Sequence, residues 1–494
     1  FAHRGRQFAG WCRLISDEAR RKSAAWAHWA KHRALWAADT FKRQCVATER
    51  AAAAGAEEFL EKTARRVGPA AGRASQAAAA LGPAAWPACR LLAALSRAAD
   101  AASFPVERRL RRLLAPRVCW AGEVTLIGDV IVPRGCTLSV EPGTIVRAAR
   151  PAAEELGIER QAFGRRLLAT AGRQARLVVF GTLELRGRSG REISFEGPAW
   201  GGIVLLGRGR LRAARTRLGS LLALDSSRAT LARCELPGGA AAGGDARLSL
   251  RGCLFRGAVR AISAHDDAIV RACDCAAQGC GWGLVLEGSA RASWRGGACE
   301  ASTEAGAALS GRAQLAVTAA RWGAQTRGFF MQGLSRLVLS RCLLRQNGLG
   351  VELQGRSRAA LDQCEIVGGE HGLWLQNQSR ARCRGGVWDG AGIGARASHE
   401  TLLELVGGRF RACRKAALYV EDNGAARARG AEFSGNENAA LCLNAAWLRL
   451  SLCALDSNRD TAVWGDYRSC LDVRHNAFTG NGKDVYREYR PIYE

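Results

Sequence analysis

The chain has 494 residues and is 48% hydrophobic, so it is long enough to bury a large core. Its formal net charge of +27 admits a polyanionic partner, but only six of its 72 basic residues are lysine, an arginine excess that GC-rich coding also produces. No run of about 18 apolar residues is present, which excludes a conventional transmembrane helix, and charge alone gives no reason to expect nucleic acid as a specific ligand.

Residues 1–117 are predicted to form a basic, Ala/Arg-rich helical region. Tryptophans at helical spacing, such as Trp26, Trp29 and Trp36, indicate amphipathic helices, and Gly-Pro pairs near 69 and 83 break them. Such helices can cap the open end of a repeat array or form an accessory domain. Peripheral contact of these helices with an anionic membrane is the alternative.

Residues 118–494 are predicted to form a β domain, because the apolar period changes to two from Trp120 onward. Short apolar runs are separated by Pro133-Arg134-Gly135 and Pro142-Gly143, which force corners. A polar, helix-patterned segment near 151–171 predicts a helical insertion. The last segment, 484–494, is expected to cover the C-terminal end of the domain.

Two consecutive blocks of 22 residues align without a gap: RLVLSRCLLRQNGLGVELQGRS (336–357) and RAALDQCEIVGGEHGLWLQNQS (358–379). Each block contains three short alternating segments separated by polar or glycine turns. A fixed period of this length predicts an all-β solenoid of about 15 coils, each built from three strands. Apolar and aromatic residues at equivalent places, such as Leu344, Trp388 and Phe433, are expected to stack inside it.

Cysteines share one position of the repeat with Ala, Gly and Asn, which predicts small, buried, reduced thiols. The members are Cys234, Cys253, Cys273, Cys342, Cys364 and Cys453. This usage favours a reducing compartment.

Four segments near the start of the β region carry a family resemblance: EPGTIVRA (141–148), GTLELRG (181–187), REISFEG (191–197) and WGGIVLL (200–206). They resemble the entry pattern of right-handed parallel β-helix repeat proteins, the pectin-lyase-like superfamily. The resemblance covers the chain from about Trp120 to the C-terminus. The resemblance implies that fold and favours export or the cell surface, so the compartment stays open. It does not choose an activity, because the superfamily holds lyases, hydrolases, epimerases, adhesins and scaffolds.

The middle residue of the third strand in each block is predicted to point outward. Aromatic residues recur there two coils apart and are candidate platforms for a glycan: Phe330, Trp374, Tyr419 and Trp464. The outward residues between these rings are predicted to be Glu352, Gly394 and Cys442. A covering helix that makes these rings an interdomain core is the alternative.

The outward residues of the first strand are predicted to form a basic strip. Its members include Arg251, Arg271, Arg295, Arg382, Arg384, Arg427, Arg429, Arg449 and Arg474. A basic strip of this kind suits an acidic polysaccharide or another polyanion.

For catalysis, the candidates are His265, Asp266 and Asp267 at a corner, with Glu287 one coil further on. A polar corner of structural origin is the alternative. No metal ligand set is assigned, and the polar corner ladder that includes Gln332 and Gln354 admits Ca²⁺.

These observations predict a non-catalytic scaffold whose elongated basic and aromatic face binds a glycan, another polyanion or a protein partner. The runner-up is a polysaccharide-active enzyme of lyase, hydrolase or epimerase type. A third possibility, a β-helix substrate receptor of an intracellular ubiquitin ligase, lacks an adaptor-binding motif.

Overall fold

The computed structural model describes residues 117–149 and 174–488, which contain 47 strands and no helix. The helical region predicted for 1–117 (apart from Arg117), the whole insertion segment predicted near 151–171 and the last six residues lie outside the described residues. No described helix is long and apolar enough to cross a membrane.

The strands belong to three parallel sheets, named A, B and C in the order in which each coil enters them. Sheet A has sixteen strands: β1 Arg117–Trp120, β4 Thr137–Val140, β7 Thr182–Arg186, β10 Arg210–Ala214, β13 Arg228–Ala232, β15 Arg247–Arg251, β18 Ile269–Cys273, β21 Arg291–Arg295, β24 Gln314–Thr318, β27 Arg336–Ser340, β30 Arg358–Asp362, β33 Arg380–Arg384, β36 Leu402–Val406, β39 Ala425–Arg429, β42 Trp447–Ser451 and β45 Cys470–Arg474.

Sheet B has a four-stranded and an eleven-stranded part, and Glu235 bridges the gap between them. Its strands are β2 Glu123–Leu126, β5 Ile145–Ala148, β8 Ile193–Glu196 and β11 Thr216–Arg217, then β16 Leu254–Arg256, β19 Ala276–Gln278, β22 Ala298–Glu300, β25 Arg321–Gly323, β28 Leu343–Arg345, β31 Glu365–Val367, β34 Val387–Asp389, β37 Arg409–Arg411, β40 Glu432–Ser434, β43 Ala454–Asp456 and β46 Ala477–Thr479.

Sheet C has sixteen strands: β3 Val130–Val132, β6 Ala175–Val179, β9 Trp200–Leu205, β12 Ser220–Ala223, β14 Gly239–Ala242, β17 Arg260–Ala264, β20 Trp282–Leu286, β23 Ala305–Leu309, β26 Arg327–Met331, β29 Leu349–Leu353, β32 His371–Leu375, β35 Ile393–Ser398, β38 Ala416–Glu421, β41 Asn438–Cys442, β44 Thr461–Gly465 and β47 Lys483–Arg487.

The chain is therefore an all-β parallel solenoid of about 16 turns, which confirms the predicted fold class. The 22-residue repeat is the register of the sheets, since Arg336 pairs with Arg358 and Arg358 pairs with Arg380. Strand pairing places successive coils about 4.8 Å apart.

The core is filled by the second and fourth residues of the five-residue sheet A strands, by the central residue of each three-residue sheet B strand, and by inward apolar residues of sheet C such as Leu284 and Leu286. Trp388, Phe410 and Phe433 stack in three successive coils, with ring centroids 4.4 and 5.2 Å apart. These rings are fully buried, which confirms that this aromatic series is core. Burial of each such side chain stabilises the fold by about 1.5–3 kcal/mol.

Backbone atoms of neighbouring coils lie close together where the chain enters sheet C. A Cβ atom on Gly372 would lie 2.5 Å from the carbonyl oxygen of Gly394, and one on Gly394 would lie 2.5 Å from that of Ala417. No side chain fits at that spacing, so glycine is required there for steric reasons.

An asparagine ladder closes the corner between sheets B and C in the last coils. Asn458 donates to the carbonyl oxygen of Phe433 (3.1 Å) and to Oδ1 of Asn481 (2.8 Å). Its own Oδ1 accepts from the backbone N–H of Asn436 (3.2 Å). Asn436 and Asn458 are buried, so these bonds satisfy groups that water cannot reach.

The cysteine column is confirmed with one correction. Cys275, not Cys273, continues the buried series, because Cys275 is fully buried in the core. Cys273 ends a sheet A strand in register with Arg251 and Arg295 and is partly exposed. Strand alternation would put residues 273 and 275 on the same side, but it does not continue across Asp274, a corner residue with a positive φ of 52°.

The prediction for the C-terminal segment is wrong in its first part. Residues 483–487 form β47, the last strand of sheet C, and Tyr486 pairs with Trp464. Tyr486 is 42% exposed, and residues 489–494, the rest of the predicted cover, lie outside the described residues.

Candidate functional site

The outer face of sheet A is formed by the first, third and fifth residues of its five-residue strands, because the second and fourth point into the core. Over the thirteen strands from β10 to β45, this face carries seventeen arginines and only three carboxylates, Asp362, Glu404 and Asp472. The arginines are Arg210, Arg212, Arg228, Arg247, Arg251, Arg271, Arg291, Arg295, Arg336, Arg358, Arg380, Arg382, Arg384, Arg427, Arg429, Arg449 and Arg474.

Seven of these arginines occupy the first position of nine consecutive strands, β10 to β33, and we call them the arginine ladder. They are Arg210, Arg228, Arg247, Arg291, Arg336, Arg358 and Arg380. The two interruptions are Ile269 and Gln314, and in both coils an arginine lies two residues away, at Arg271 and Arg312.

The ladder arginines are exposed, and none has a carboxylate within 4 Å in residues 117–149 and 174–488. Sequence reasoning missed this column, although its signal was present. Each ladder arginine immediately precedes an inward apolar residue, so strand alternation points the arginine outward. The predicted strip used only the third and fifth residues of the strands and left out the first.

The four arginines predicted as ligand contacts lie on the same face. Arg382 and Arg384 are the third and fifth residues of β33, and Arg427 and Arg429 hold the same places in β39. All four are exposed. The intervening strand β36 carries Glu404 at the third place, so the strip is interrupted there.

The predicted aromatic column exists on the outer face of sheet C, with different residues between its rings. The register runs Phe330, Glu352, Trp374, Arg396, Tyr419, Leu441, Trp464. The assignments of Gly394 and Cys442 are wrong, since both are buried on the sheet's inward side. Their neighbours are Ala, Gly, Leu and Ile, so alternation in the sequence does not fix the register there.

Most of these rings are already in contact with cations of the chain itself. The Arg396 guanidinium lies 5.1 Å from the Trp374 ring centroid and 5.3 Å from that of Tyr419, and Glu421 accepts a 2.7 Å hydrogen bond from its Nε. His371 stacks on Trp374 at 5.1 Å. A glycan that stacked on Trp374 would therefore compete with Arg396 and His371.

The same arrangement sets the electrostatics of this face. Burial and the nearby Arg396 lower the pKa of His371, so its imidazole is neutral at pH 7. Burial, with Glu421 adding to it, raises the pKa of Tyr419. Glu352 is 3% exposed and lies 3.4 Å from Nε of Arg327.

The outer faces of sheets A and C differ in the solvent exposure of their side chains. In sheet C the outward residues Ser263, Val285, Glu352 and Leu441 are between 3% and 9% exposed, and Trp374 and Trp464 are half-buried. In sheet A the ladder arginines are open to solvent. A macromolecular partner therefore reaches the face of sheet A more readily.

The candidate catalytic residues form a corner with an evident structural role. Asp266 has a φ of 66° and accepts a 3.0 Å hydrogen bond from the backbone N–H of Gly244. Asp225 repeats this arrangement two coils earlier, accepting from Gly207 at 2.9 Å. Because the same hydrogen bond recurs at Asp225, a structural role is enough to account for Asp266.

The remaining pair of this group is His265 and Glu287, whose Nδ1 and Oε2 atoms lie 3.2 Å apart on a partly exposed surface. Asp267 is exposed and does not share in this contact. In the described part of the chain, no group of three or more His, Cys, Asp or Glu side chains is arranged to hold a metal ion. The polar corner ladder includes a 3.4 Å bond between Gln332 and Gln354.

Comparison with known families matches residues 306–483 to the model described as right handed beta helix region. Residues 306–483 therefore match a right-handed β-helix region, and they lie within a parallel β-solenoid of about 16 turns. The match is consistent with the pectin-lyase-like resemblance of the entry segments.

Two solved structures are similar in part, and both are of PfbA from Streptococcus pneumoniae. One, described as a surface protein and adhesin, is 8% identical, covers 83% of this chain and 98% of its own, and has a TM-score of 0.22. The other, described as a surface adhesin, is 8% identical, covers 81% and 91%, and has a TM-score of 0.17. Likeness of this size has no bearing on function. No curated protein matches the chain.

Proposed function

We propose that this β-helix protein is a non-catalytic scaffold that binds an extended anionic polymer, such as an acidic glycan, along the arginine ladder. The observation that carries the proposal is the ladder itself: nine successive coils carry seven exposed arginines, and none of these has a carboxylate partner in the part of the chain that the structure describes. A linear polyanion lying parallel to the solenoid axis would meet an arginine in or near every coil.

Electrostatics favours such a ligand. Neighbouring ladder arginines repel each other, and two unit charges about 5 Å apart cost about 0.8 kcal/mol in water. A bound polyanion replaces this repulsion with attraction and releases its own counterions, which makes binding weaken steeply with salt. Charge-assisted hydrogen bonds from guanidinium groups to carboxylate or sulfate add to the gain.

Phe330, Trp374, Tyr419 and Trp464 stay a predicted second contact for sugar rings. Among them, Trp464 is the ring to test, because no cation contact to it occurs in the described residues. Loss of glycan affinity in Trp464→Ala would support a role for this column.

The decisive experiment measures binding of heparin and of polygalacturonate to the full chain by fluorescence anisotropy at several salt concentrations. The triple variant Arg336→Gln, Arg358→Gln, Arg380→Gln should bind more weakly. The slope of log affinity against log salt should fall by about two, from about 0.7 per lost contact.

The matched control is Arg256→Gln, Arg321→Gln, Arg345→Gln. It removes the same charge from exposed positions of sheet B and leaves the ladder intact. Equal losses in the two triple variants would mean that net charge, not the ladder, governs binding.

The observation that favours the enzymatic alternative is the contact between His265 and Glu287. Incubation of the protein with polygalacturonate should yield neither unsaturated products nor new reducing ends. Product formation that disappears in Glu287→Gln would overturn the non-catalytic proposal.

A further inference from the structure

The first-position column of sheet A changes character after Arg380. The next three strands place Leu402, Ala425 and Trp447 where the ladder had arginines, and all three are half-buried. The change happens within one coil, so the face has two chemically different parts.

Around Trp447 the face combines apolar and cationic groups with one carboxylate, Glu404, which lies between Leu402 and Val406 on β36 and in register with Arg427. The Arg427 guanidinium lies over the Trp447 ring, 5.1 Å from its centroid. Val406, at the fifth place of β36, is 44% exposed and pairs in register with Arg429. Neither Arg427 nor Arg429 has a carboxylate within 4 Å among the described residues.

Unlike the arginine ladder, this part of the face has apolar side chains that a partner can bury. A uniformly charged polymer would leave Leu402, Val406 and Trp447 without apolar contacts. Tryptophan and arginine are the side chains that dominate binding energy at protein interfaces, and lysine, which these interfaces disfavour, is absent from the sheet A strands that form this face.

We propose that Leu402, Val406, Trp447, Arg427 and Arg429, together the tryptophan patch, dock an acidic protein segment that carries an apolar side chain. The apolar side chain packs on Trp447 and Leu402, and its flanking carboxylates pair with Arg427 and Arg429. Leu402 and Trp447 lie two coils, or about 10 Å, apart, which accommodates one bulky side chain between them. The partner and the residues differ from those of the polyanion proposal.

The test uses two synthetic peptides of twelve residues with equal negative charge. In the first peptide, two Leu residues at the centre alternate with Glu. In the second peptide, Ser replaces each of these Leu residues. Fluorescence anisotropy should give the Leu peptide about tenfold higher affinity for the full chain. Trp447→Ala should remove this preference, and Trp282→Ala, on sheet C, should keep it.

Two further variants keep the outcome interpretable. Arg427→Gln with Arg429→Gln should weaken both peptides equally and preserve the preference, whereas the ladder triple variant should weaken heparin and leave the preference intact. Circular dichroism spectra should be identical for all variants. Equal affinity of the two peptides, a preference that survives Trp447→Ala, or no binding of either peptide would overturn the proposal, whatever heparin does.

Discussion

Replacing Arg358 by Gln should make the protein more stable, although most substitutions destabilise a folded protein. Arg358 pairs in register with Arg336 on one side and Arg380 on the other, and it has no carboxylate within 4 Å among the described residues. If the arginines serve a ligand, their mutual repulsion destabilises the free protein.

The magnitude follows from the coil spacing. Two unit charges about 5 Å apart repel by about 0.8 kcal/mol in water, and Arg358 has two such neighbours. Screening over a Debye length of about 30 Å at 10 mM salt leaves about 1.4 kcal/mol, and about 8 Å at 150 mM leaves about 0.9 kcal/mol. At 1 M salt, where the Debye length is about 3 Å, only about 0.3 kcal/mol remains. These are upper values, because guanidinium groups can swing apart.

The assay is urea unfolding of the full chain, followed by circular dichroism, at these three salt concentrations. The gain in Arg358→Gln should shrink as salt rises. Arg409→Gln is the matched control, since Arg409 lies 3.2 Å from Glu432 and its loss should be neutral or destabilising. Destabilisation of Arg358→Gln at low salt would refute the reasoning and make the arginine a structural residue.

Three further predictions concern the scaffold. Trp388→Ala should lower the free energy of unfolding by about 3–5 kcal/mol, because Trp388 is fully buried against Phe410; urea denaturation measures this. Asn458→Ala should cost about 1–3 kcal/mol, since it leaves buried partners of the asparagine ladder unsatisfied, and increased amide exchange in the last coils would report it. Burial raises the pKa of Cys383 to about 12, so its thiol stays protonated at pH 9; iodoacetamide should modify the exposed Cys119 there and leave Cys383 unmodified, as peptide mass mapping would show.

The fold was predictable because the repeat and the core follow the same period. In the block from Arg336, alternation around Leu337 and Leu339 determines which side chains are buried, and the period of 22 determines which strands pair. Parallel stacking then follows with no further information. The number of coils differs from the prediction by one because early coils are irregular in length.

The site was predictable only where polar and apolar residues alternate clearly. Arg382 and Arg384 flank the buried Cys383, so their outward direction could be inferred. Leu441 and Cys442 are both apolar, and only hydrogen-bond register shows that Leu441 faces outward. Alternation gives the direction of a side chain, but it does not give its neighbours.

Contacts between coils were the other limit. The cation contact of Arg396 with Trp374 joins residues 22 positions apart, and its ion pair with Glu421 joins residues 25 apart. A one-residue difference in strand length breaks such a pair. The aromatic column predicted to be free for a ligand is therefore partly covered by side chains such as Arg396, whose alignment with the rings cannot be determined from the sequence.

The most direct test of the arginine ladder is how affinity depends on ligand length. Nine strands from Arg210 to Arg380 span about 38 Å at 4.8 Å per coil. Size-fractionated heparin oligosaccharides should bind the full chain with affinity that rises with length and levels off near about 38 Å, and the ladder triple variant should level off at a shorter length. Affinity that is already maximal for a disaccharide, or a plateau that the triple variant does not move, would contradict binding along the ladder.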